Sequence, residues 1–319
     1  MSLRRVKHLL GEIQPDLLHT HFLTGYGYWG HFSGFQPNLL TVWGDDVYVT
    51  PHETPLKGWL ARSALASARV VTGDSVDILK DCVGLGADPD RCYEIQWGVD
   101  FEVFRPDRPS MVRQGLGIPA EAPLIFSPRS FTQPYYNLDI IIEACARFLE
   151  ETPEAHVIFA GYEGDQSPFA ERARQAGLDR NTHFVGRIPH DEFADYLVAC
   201  DVFVSVPSVD ATAVSLLEAM ACGCGIVVST LPSSLEWIES GVNGEAVAHR
   251  DAEALLAALR RLFVDPARRA WFGEACVREV HARADHELNM RWMESLYENA
   301  LKTGEVAEDL HSLKGRGLA

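Results

Sequence analysis

The chain has 319 residues, 47% of them hydrophobic, so it can bury a large core and is expected to form about two domains. Its formal net charge of -17 argues against a nucleic-acid partner, because proteins that bind nucleic acid usually present a basic face. No apolar run approaches the roughly 18 residues that a transmembrane helix needs, so no membrane-spanning helix is expected.

Strand patterns alternate with helix patterns along the first third of the chain, and the early strands end in turns that contain glycine. In chain order, the predicted elements are strands at 16–22 and 38–43, a helix at 58–68, a strand at 70–72, a helix at 75–83 and a strand at 92–95. Such alternation is typical of an α/β fold with a parallel sheet, and it predicts a first domain over residues 1–107.

Pro106 and Pro109 interrupt the chain before a second alternating series begins. This series runs from a strand at 124–127 to a strand at 245–247 and predicts a second α/β domain over residues 108–284. Helices with apolar residues at helical spacing follow at 252–263, 266–283 and 286–301.

The most informative segment is Asp210-Ala-Thr-Ala-Val-Ser-Leu-Leu-Glu218, which sets two carboxylates around a predicted helix start. Its small residues follow a buried strand pattern and allow a ligand to approach the backbone. The free N–H groups of a helix N-terminus and the Ser215 hydroxyl suit a diphosphate, and Glu218 lies about one turn into the helix, where it could reach a ribose diol. Taken singly, each acid is more often a helix cap or a solvated partner of the helix dipole. The donor-binding residues expected here are Ala211, Thr212, Ala213, Val214, Ser215, Leu216 and Glu218.

Six further segments fall in the order of one enzyme family. They are Gly98-Val-Asp-Phe-Glu-Val-Phe-Arg-Pro106, Ser127-Pro-Arg129, Leu138-Asp-Ile-Ile-Ile-Glu-Ala144, Val157-Ile-Phe-Ala-Gly161, Phe184-Val-Gly-Arg-Ile-Pro189 and Glu236-Trp-Ile-Glu-Ser-Gly-Val-Asn-Gly244. The chain resembles the retaining glycosyltransferases of family 4, whose E-x7-E motif is present as Asp210-x7-Glu218. The resemblance covers almost everything from Asp16 onward. It implies the GT-B fold, with two Rossmann-like α/β domains facing across a cleft and a helix at 285–302 packing back on the first.

The resemblance implies transfer of a hexose from a UDP-, GDP- or ADP-sugar to a saccharide, lipid or small-molecule acceptor, as in polysaccharide biosynthesis. In such enzymes the leaving phosphate oxygen takes the acceptor proton, so no side chain need be nucleophile or base. The implied catalytic residues are His21 on the transferred sugar, Asp210 on its hydroxyls and Arg129 on the leaving diphosphate. The structural alternatives are a polar cap at a strand end for His21 and a surface ion pair for Arg129.

Two positions depart from the family pattern beside the donor site. Tyr136 and Asn137 stand where the family has a lysine, and with Gly186 they are expected to contact the donor. Without that lysine, binding of the diphosphate is expected to depend on Arg129, Ser215 and the helix N-terminus.

Trp43 marks another departure, because it replaces the histidine of the family's H-G-x-D turn. The acid of that turn is Asp46, for which a structural role in the turn is at least as well supported as a functional one.

The cysteine and histidine pattern predicts neither disulfides nor a metal. Seven cysteines, an odd number, favour free thiols in a reducing compartment. Cys222-Gly-Cys224 lacks both the usual zinc spacing and a second pair, and no acidic or cysteine ligand lies beside His19 and His21. No metal is therefore expected. No cofactor is expected either, because the nucleotide sugar that the resemblance implies is a substrate. The expected location is cytoplasmic, with peripheral contact at the inner face of the membrane left open.

The N-terminal end is the largest departure, because only fifteen residues precede the first predicted strand. Family members begin with a strand, a glycine-rich loop and further β/α units, so the first domain is expected to be incomplete and to expose apolar surface. Self-association or a partner subunit would cover that surface. The alternatives are a nucleotide-sugar-binding but inactive fragment, the donor half of a two-part enzyme, or a GT-B sugar-nucleotide epimerase. The tail at 303–319 has few apolar residues and is expected to be frayed.

Overall fold

The computed structural model describes residues 2–161, 163–178 and 180–302, so the predicted tail at 303–319 lies outside the described residues. The chain divides into two compact units. Unit 1 consists of Met1–Trp97, Val209–Thr212 and His286–Ala319, and unit 2 consists of Gly98–Ser208 and Ala213–Asp285.

The first long segment of unit 1 ends at Trp97, whereas the sequence suggested a domain limit at residue 107. The segment after Trp97 packs into unit 2 for a clear reason. The Val99 N–H donates to the carbonyl of Ala284, and the Phe104 side chain is buried in the core of unit 2.

Within the described residues the chain forms ten β-strands and fifteen α-helices. The strands are β1 (Leu18–His21), β2 (Asn38–Thr41), β3 (Val70–Gly73), β4 (Cys92–Glu94), β5 (Leu124–Pro128), β6 (His156–Ala160), β7 (Thr182–Gly186), β8 (Val202–Ser205), β9 (Gly225–Ser229) and β10 (Glu245–Val247). The helices are α1 (Leu3–Ile13), α2 (Tyr28–Ser33), α3 (Asp45–Tyr48), α4 (Thr50–Glu53), α5 (Pro55–Ser67), α6 (Val76–Gly84), α7 (Val112–Gly115), α8 (Leu138–Glu151), α9 (Ser167–Gln175), α10 (His190–Ala199), α11 (Val214–Ala221), α12 (Pro232–Leu235), α13 (Ala252–Val264), α14 (Pro266–Arg283) and α15 (His286–Leu301). None of the described helices is long and apolar enough to cross a lipid bilayer.

Unit 1 is built on a parallel sheet with the strand order β1-β2-β3-β4. Helices cover both faces of this sheet, as a parallel sheet requires. Leu39 belongs to a core that α15 covers with Met293 and Leu296, while the next residue, Leu40, belongs to the core under α5 and α6.

Unit 2 is built on a second parallel sheet with the order β10-β9-β8-β5-β6-β7. Successive residues of β5 again point to opposite faces. Ile125 packs in the core that α8 and α13 cover, and Phe126 packs in the core that α10 and α11 cover. The predicted fold class, two Rossmann-like α/β domains with parallel sheets, is confirmed.

Close backbone packing behind α11 gives a testable stability effect. A Cβ atom on Gly273 of α14 would lie 2.3 Å from the carbonyl oxygen of Gly223, in the turn after α11. Because that neighbour is backbone, Gly273→Ala must push α14 away from the turn. We expect a loss of about 1–3 kcal/mol in the free energy of unfolding, measured by urea denaturation.

The matched control is Gly115→Ala, since a Cβ on Gly115 meets nothing within 4 Å. That variant should be neutral or more stable, by up to about 1 kcal/mol. Equal stability of the two variants would contradict the packing described for α14.

Candidate functional site

A cleft of about 250 Å³ opens in unit 2 at the carboxyl ends of β5 and β6. A water molecule takes about 30 Å³ of liquid, so the cleft can hold a much larger group. Ligands of open α/β sheets bind at this edge. The cleft is lined by Pro128, Arg129, Ser130, Tyr136, Ala160, Gly161, Ile188, His190, Phe193, Ser215 and Glu218.

Arg129 follows β5 and is held in a fixed orientation at the cleft, with 9% of its surface exposed. Its Nε donates to the Ser205 Oγ at 2.7 Å, and a terminal nitrogen of the guanidinium contacts the same hydroxyl. The guanidinium carbon lies 5.1 Å from the centroid of the Tyr136 ring, within cation–π range. A permanently charged, planar donor fixed in this way suits an anionic ligand.

The N-terminal end of α11 forms another wall of the cleft. The cap residue is Ala213, which has no side-chain acceptor for the first N–H groups of the helix. Ser215 adds its hydroxyl to this wall. The positive end of the helix dipole and these donors favour a negatively charged group.

Glu218 is the buried acid of the cleft. Its side chain is 5% exposed, and its Oε1 lies 2.8 Å from the Nε2 of His190, whose side chain is 76% exposed. Burial raises the pKa of Glu218 to about 7, and the hydrogen bond with His190 opposes that shift. The carboxyl group therefore changes protonation near neutral pH, and an exposed histidine contacts it.

Several predicted donor-site residues lie outside the lining of the cleft. Asn137 is 1% exposed, and its Nδ2 donates to the carbonyl of Val206 at 2.9 Å and to the Ser208 Oγ at 2.8 Å. Its φ of 53° starts α8 from the left-handed region, which asparagine tolerates better than most residues. Gly186 ends β7, and Leu216 is buried in the core under α11. Ala213 and Val214 are half-buried at the start of α11, also outside the lining.

His21 lies in unit 1, where it ends β1 among other rings. Its ring centroid is 4.1 Å from that of His19, 5.9 Å from that of Trp43 and 5.6 Å from that of Trp97. Burial lowers the pKa of His21, so the imidazole is neutral at physiological pH. A neutral imidazole can donate one hydrogen bond and accept another.

His19 is fixed beneath His21 by two hydrogen bonds. Its Nε2 lies 2.7 Å from the Thr41 Oγ1, and its Nδ1 lies 2.9 Å from the Tyr297 hydroxyl. Burial, with a smaller contribution from His21, lowers the pKa of His19 to about 4. His19 therefore supports the ring above it as a neutral group.

Asp210, Ala211 and Thr212 also belong to unit 1. The Thr212 N–H donates at 3.2 Å to the Oδ1 of Asp74, an acid that is 5% exposed and directly follows β3. Burial raises the pKa of Asp74 well above its usual range; the Thr212 bond opposes this shift, and the charge of Asp210 adds to it. Through this bond Asp74 anchors the segment that carries Asp210.

Asp46 shapes the turn after β2. Its Oδ1 accepts the N–H groups of Trp43 at 3.0 Å and Gly44 at 2.8 Å, and its Oδ2 accepts the N–H of Leu23 at 2.6 Å. The side chain is fully buried. These bonds support the structural interpretation of Asp46.

Sequence reasoning missed several residues of the two sites. His190 directly follows Pro189, the last residue of a motif that the sequence did mark, and Phe193 lies one turn further along α10. Asp74 follows an apolar strand run directly, which was the available signal for it. A polar residue just beyond a buried parallel strand is a candidate for the ligand edge of the sheet.

Across residues 2–161, 163–178 and 180–302, no group of three or more His, Cys, Asp or Glu side chains could hold a metal ion. All seven cysteines are free and buried. Metal independence stays a prediction.

Two protein-family models match the chain. The model described as Glycosyl transferases group 1 matches residues 111–276, more than half of the chain, and the model described as Glycosyl transferase 4-like matches residues 1–75.

Curated relatives carry related names. A D-inositol 3-phosphate glycosyltransferase of Kribbella flavida is 31% identical over 229 residues, which are 68% of this chain and 53% of that protein. D-inositol 3-phosphate glycosyltransferase 2 of Catenulispora acidiphila is 26% identical over 327 residues, with 95% of this chain and 74% of that protein covered. The chain spans about half the length of several curated relatives that it matches.

Solved structures share the fold at low sequence identity. Anabaena HepE, crystallised in complex with UDP-glucose, gives a TM-score of 0.82 at 20% identity, covering 93% of this chain and 82% of that one. The sucrose-phosphate synthase of Thermosynechococcus elongatus gives a TM-score of 0.76 at 21% identity, covering 93% and 76%. These likenesses identify the fold as GT-B.

Proposed function

The chain belongs to the group 1 glycosyl transferases, and on that premise we propose that it moves a hexose from a nucleoside diphosphate sugar to a hydroxyl acceptor with retention of anomeric configuration. The observation that carries the proposal is the cleft of unit 2, which Arg129, Ser215 and Glu218 line together. A cation, a helix N-terminus and a buried carboxyl group match the diphosphate and the ribose of such a donor.

In the proposed reaction the acceptor oxygen forms a bond to C1 of the sugar while the bond from C1 to the leaving phosphate oxygen breaks. That phosphate oxygen takes the acceptor proton on the same face. Arg129 and the N-terminal end of α11 would offset the charge that develops on the diphosphate, so the proposal needs no metal ion.

The resemblance assigns the contacts to the transferred sugar to His21 and Asp210. His19, beside His21, lies within hydrogen-bonding distance of Thr41 and Tyr297, and Asp74 accepts the Thr212 N–H in the segment that carries Asp210. The acceptor class proposed is a saccharide, a lipid or another small molecule with a free hydroxyl group.

The test combines binding and turnover. Calorimetry with UDP-, GDP- and ADP-sugars would identify the nucleotide, and UDP-glucose is the first choice because HepE was crystallised with it. Mass spectrometry of the products, with and without a chelator, would then report transfer and any metal requirement. Absence of binding to all three nucleotide classes by folded protein would contradict the proposal.

Affinity for UDP-glucose is expected to rise about tenfold between pH 6 and pH 8. The ribose hydroxyls would donate to the ionised carboxylate of Glu218, whose pKa in the unliganded protein is about 7. Binding therefore favours the deprotonated form and releases a proton below pH 7, so affinity falls as pH falls. Calorimetric titrations at several pH values give the profile, and UDP-glucose has no group that titrates in this range.

Two variants serve as controls for that profile. Glu218→Gln removes the titrating group, so its binding should be weaker and flat with pH. His190→Ala removes the bond that holds the pKa of Glu218 down, so the midpoint should move to higher pH. A sloping profile that survives in Glu218→Gln would assign the proton to another group.

A further inference from the structure

Trp43 and Trp97 form a stacked pair in unit 1, named here the tryptophan platform. Their ring centroids are 4.9 Å apart and their planes are 13° from parallel. Trp43 lies just beyond β2 and Trp97 lies beyond β4, at the carboxyl edge of the sheet where β1 presents His21. The rings of both tryptophans stand within 6 Å of the His21 ring, at 5.9 Å and 5.6 Å.

The platform is partly open to solvent. Trp43 is 39% exposed, and Trp97 is half-buried beneath it. The Asp46 carboxylate holds the backbone N–H groups of Trp43 and Gly44, so the turn that carries the exposed ring is fixed. Leaving a large, immobilised indole in water has a cost in free energy, which a ligand stacked on the ring would offset.

The rings around the platform are neutral, and the buried carboxyl group of Asp46 lies in the turn that carries Trp43. His21 and His19 are both neutral at physiological pH, because burial lowers the pKa of each. Among the residues that the structure describes, the arginines found over aromatic rings all lie in unit 2. A phosphate monoester usually requires arginine or lysine, whereas an indole face suits the C–H face of a sugar ring.

We propose that the tryptophan platform is an acceptor subsite that stacks an uncharged pyranose, so that the acceptor is a neutral saccharide. The proposal rests on the proposed function, and it specifies the acceptor for that reaction. It separates this chain from the D-inositol 3-phosphate glycosyltransferases it resembles, whose names indicate a phosphorylated acceptor. Trp43 stands at the turn position where the family has a histidine, so this single difference from the family would add the exposed ring of the platform.

The experiment is a binding screen of the full chain in the presence of UDP, on an array of neutral oligosaccharides. The best-bound oligosaccharide and inositol 3-phosphate are then compared by calorimetry. We expect the neutral oligosaccharide to bind and inositol 3-phosphate to bind at least about tenfold more weakly. Trp43→Ala should weaken oligosaccharide binding at least about tenfold, and Trp43→Phe, which keeps an aromatic face, by about threefold or less.

Trp59→Ala is the matched control, because Trp59 is a 53% exposed tryptophan on α5 of the same unit. Its oligosaccharide binding should equal that of the unmodified chain. UDP-glucose binding, measured on every variant, reports correct folding and tests the donor half of the proposed function separately. A preference for inositol 3-phosphate, no oligosaccharide binding by protein that binds UDP-glucose, or equal losses in Trp43→Ala and Trp59→Ala would overturn the acceptor proposal and leave the donor site unaffected.

Discussion

Arg129→Ala is expected to lower the turnover of nucleotide sugar by about 10²–10³-fold, the usual effect of removing a fixed donor that faces developing charge. Arg129 is the cation that lines the cleft of unit 2, and its guanidinium is oriented by Ser205 and Tyr136. Tyr136 and Asn137 stand where the resembled family has a lysine, so a large part of the charge compensation would fall on Arg129. Initial rates at saturating donor give the measurement.

Two milder variants separate charge from positioning. Ser205→Ala keeps the guanidinium but removes the hydroxyl that orients it, so we expect a loss of about tenfold or less. Arg129→Lys keeps the charge but loses the planar fork, and it should recover only part of the activity. If Arg129→Ala stays within about threefold of the unmodified protein, the leaving group is stabilised elsewhere.

The regular parts of the fold could be predicted from the sequence, because buried parallel strands and amphipathic helices have distinct apolar patterns. The helices predicted at 266–283 and 286–301 match α14 and α15 at both ends. The short helices α3 and α4 were not predicted, since four residues carry too little periodicity. Their position depends instead on Asp46, whose buried carboxylate organises the preceding turn.

The candidate site was predictable where a motif fixes both spacing and backbone shape. Ser215 and Glu218 lie on one helix, and Arg129 follows a central strand, so all three reach the same cleft. Asn137 is adjacent to Tyr136 in sequence, yet it turns into the protein to bind the backbone of Val206. Only the left-handed conformation at Asn137 separates the two directions, and sequence periodicity does not report it.

Contacts between segments that are far apart along the chain could not be predicted from the sequence. The link from Asp74 to Thr212 joins residues 138 positions apart, and the bond from His19 to Tyr297 joins residues 278 positions apart. Each pairs a residue in a strand or just after one with a segment that the chain brings back much later. Such pairs have no local pattern, so the environment of His21 and Asp210 became visible only in three dimensions.

Asp210→Asn is expected to lower kcat by about 10²-fold while changing UDP affinity by no more than about twofold. The proposed partner of Asp210 is the transferred sugar, and its contacts would strengthen as positive charge develops at C1, whereas UDP carries no sugar at that position. The substitution keeps the size of the side chain and removes its charge. Steady-state rates and calorimetry with UDP give the two quantities.

The control for Asp210→Asn is its buried neighbour. Burial raises the pKa of Asp74 well above its usual range and so favours its protonated form. Asp74→Asn keeps the size of the side chain and an oxygen that can accept the Thr212 N–H, so kcat should stay within about threefold. If both variants lose the same activity, the effect belongs to the geometry of the segment 209–212 rather than to the charge of Asp210. If Asp210→Asn weakens UDP binding as much as it slows turnover, the carboxylate acts on the nucleotide, and its assignment to the sugar is wrong.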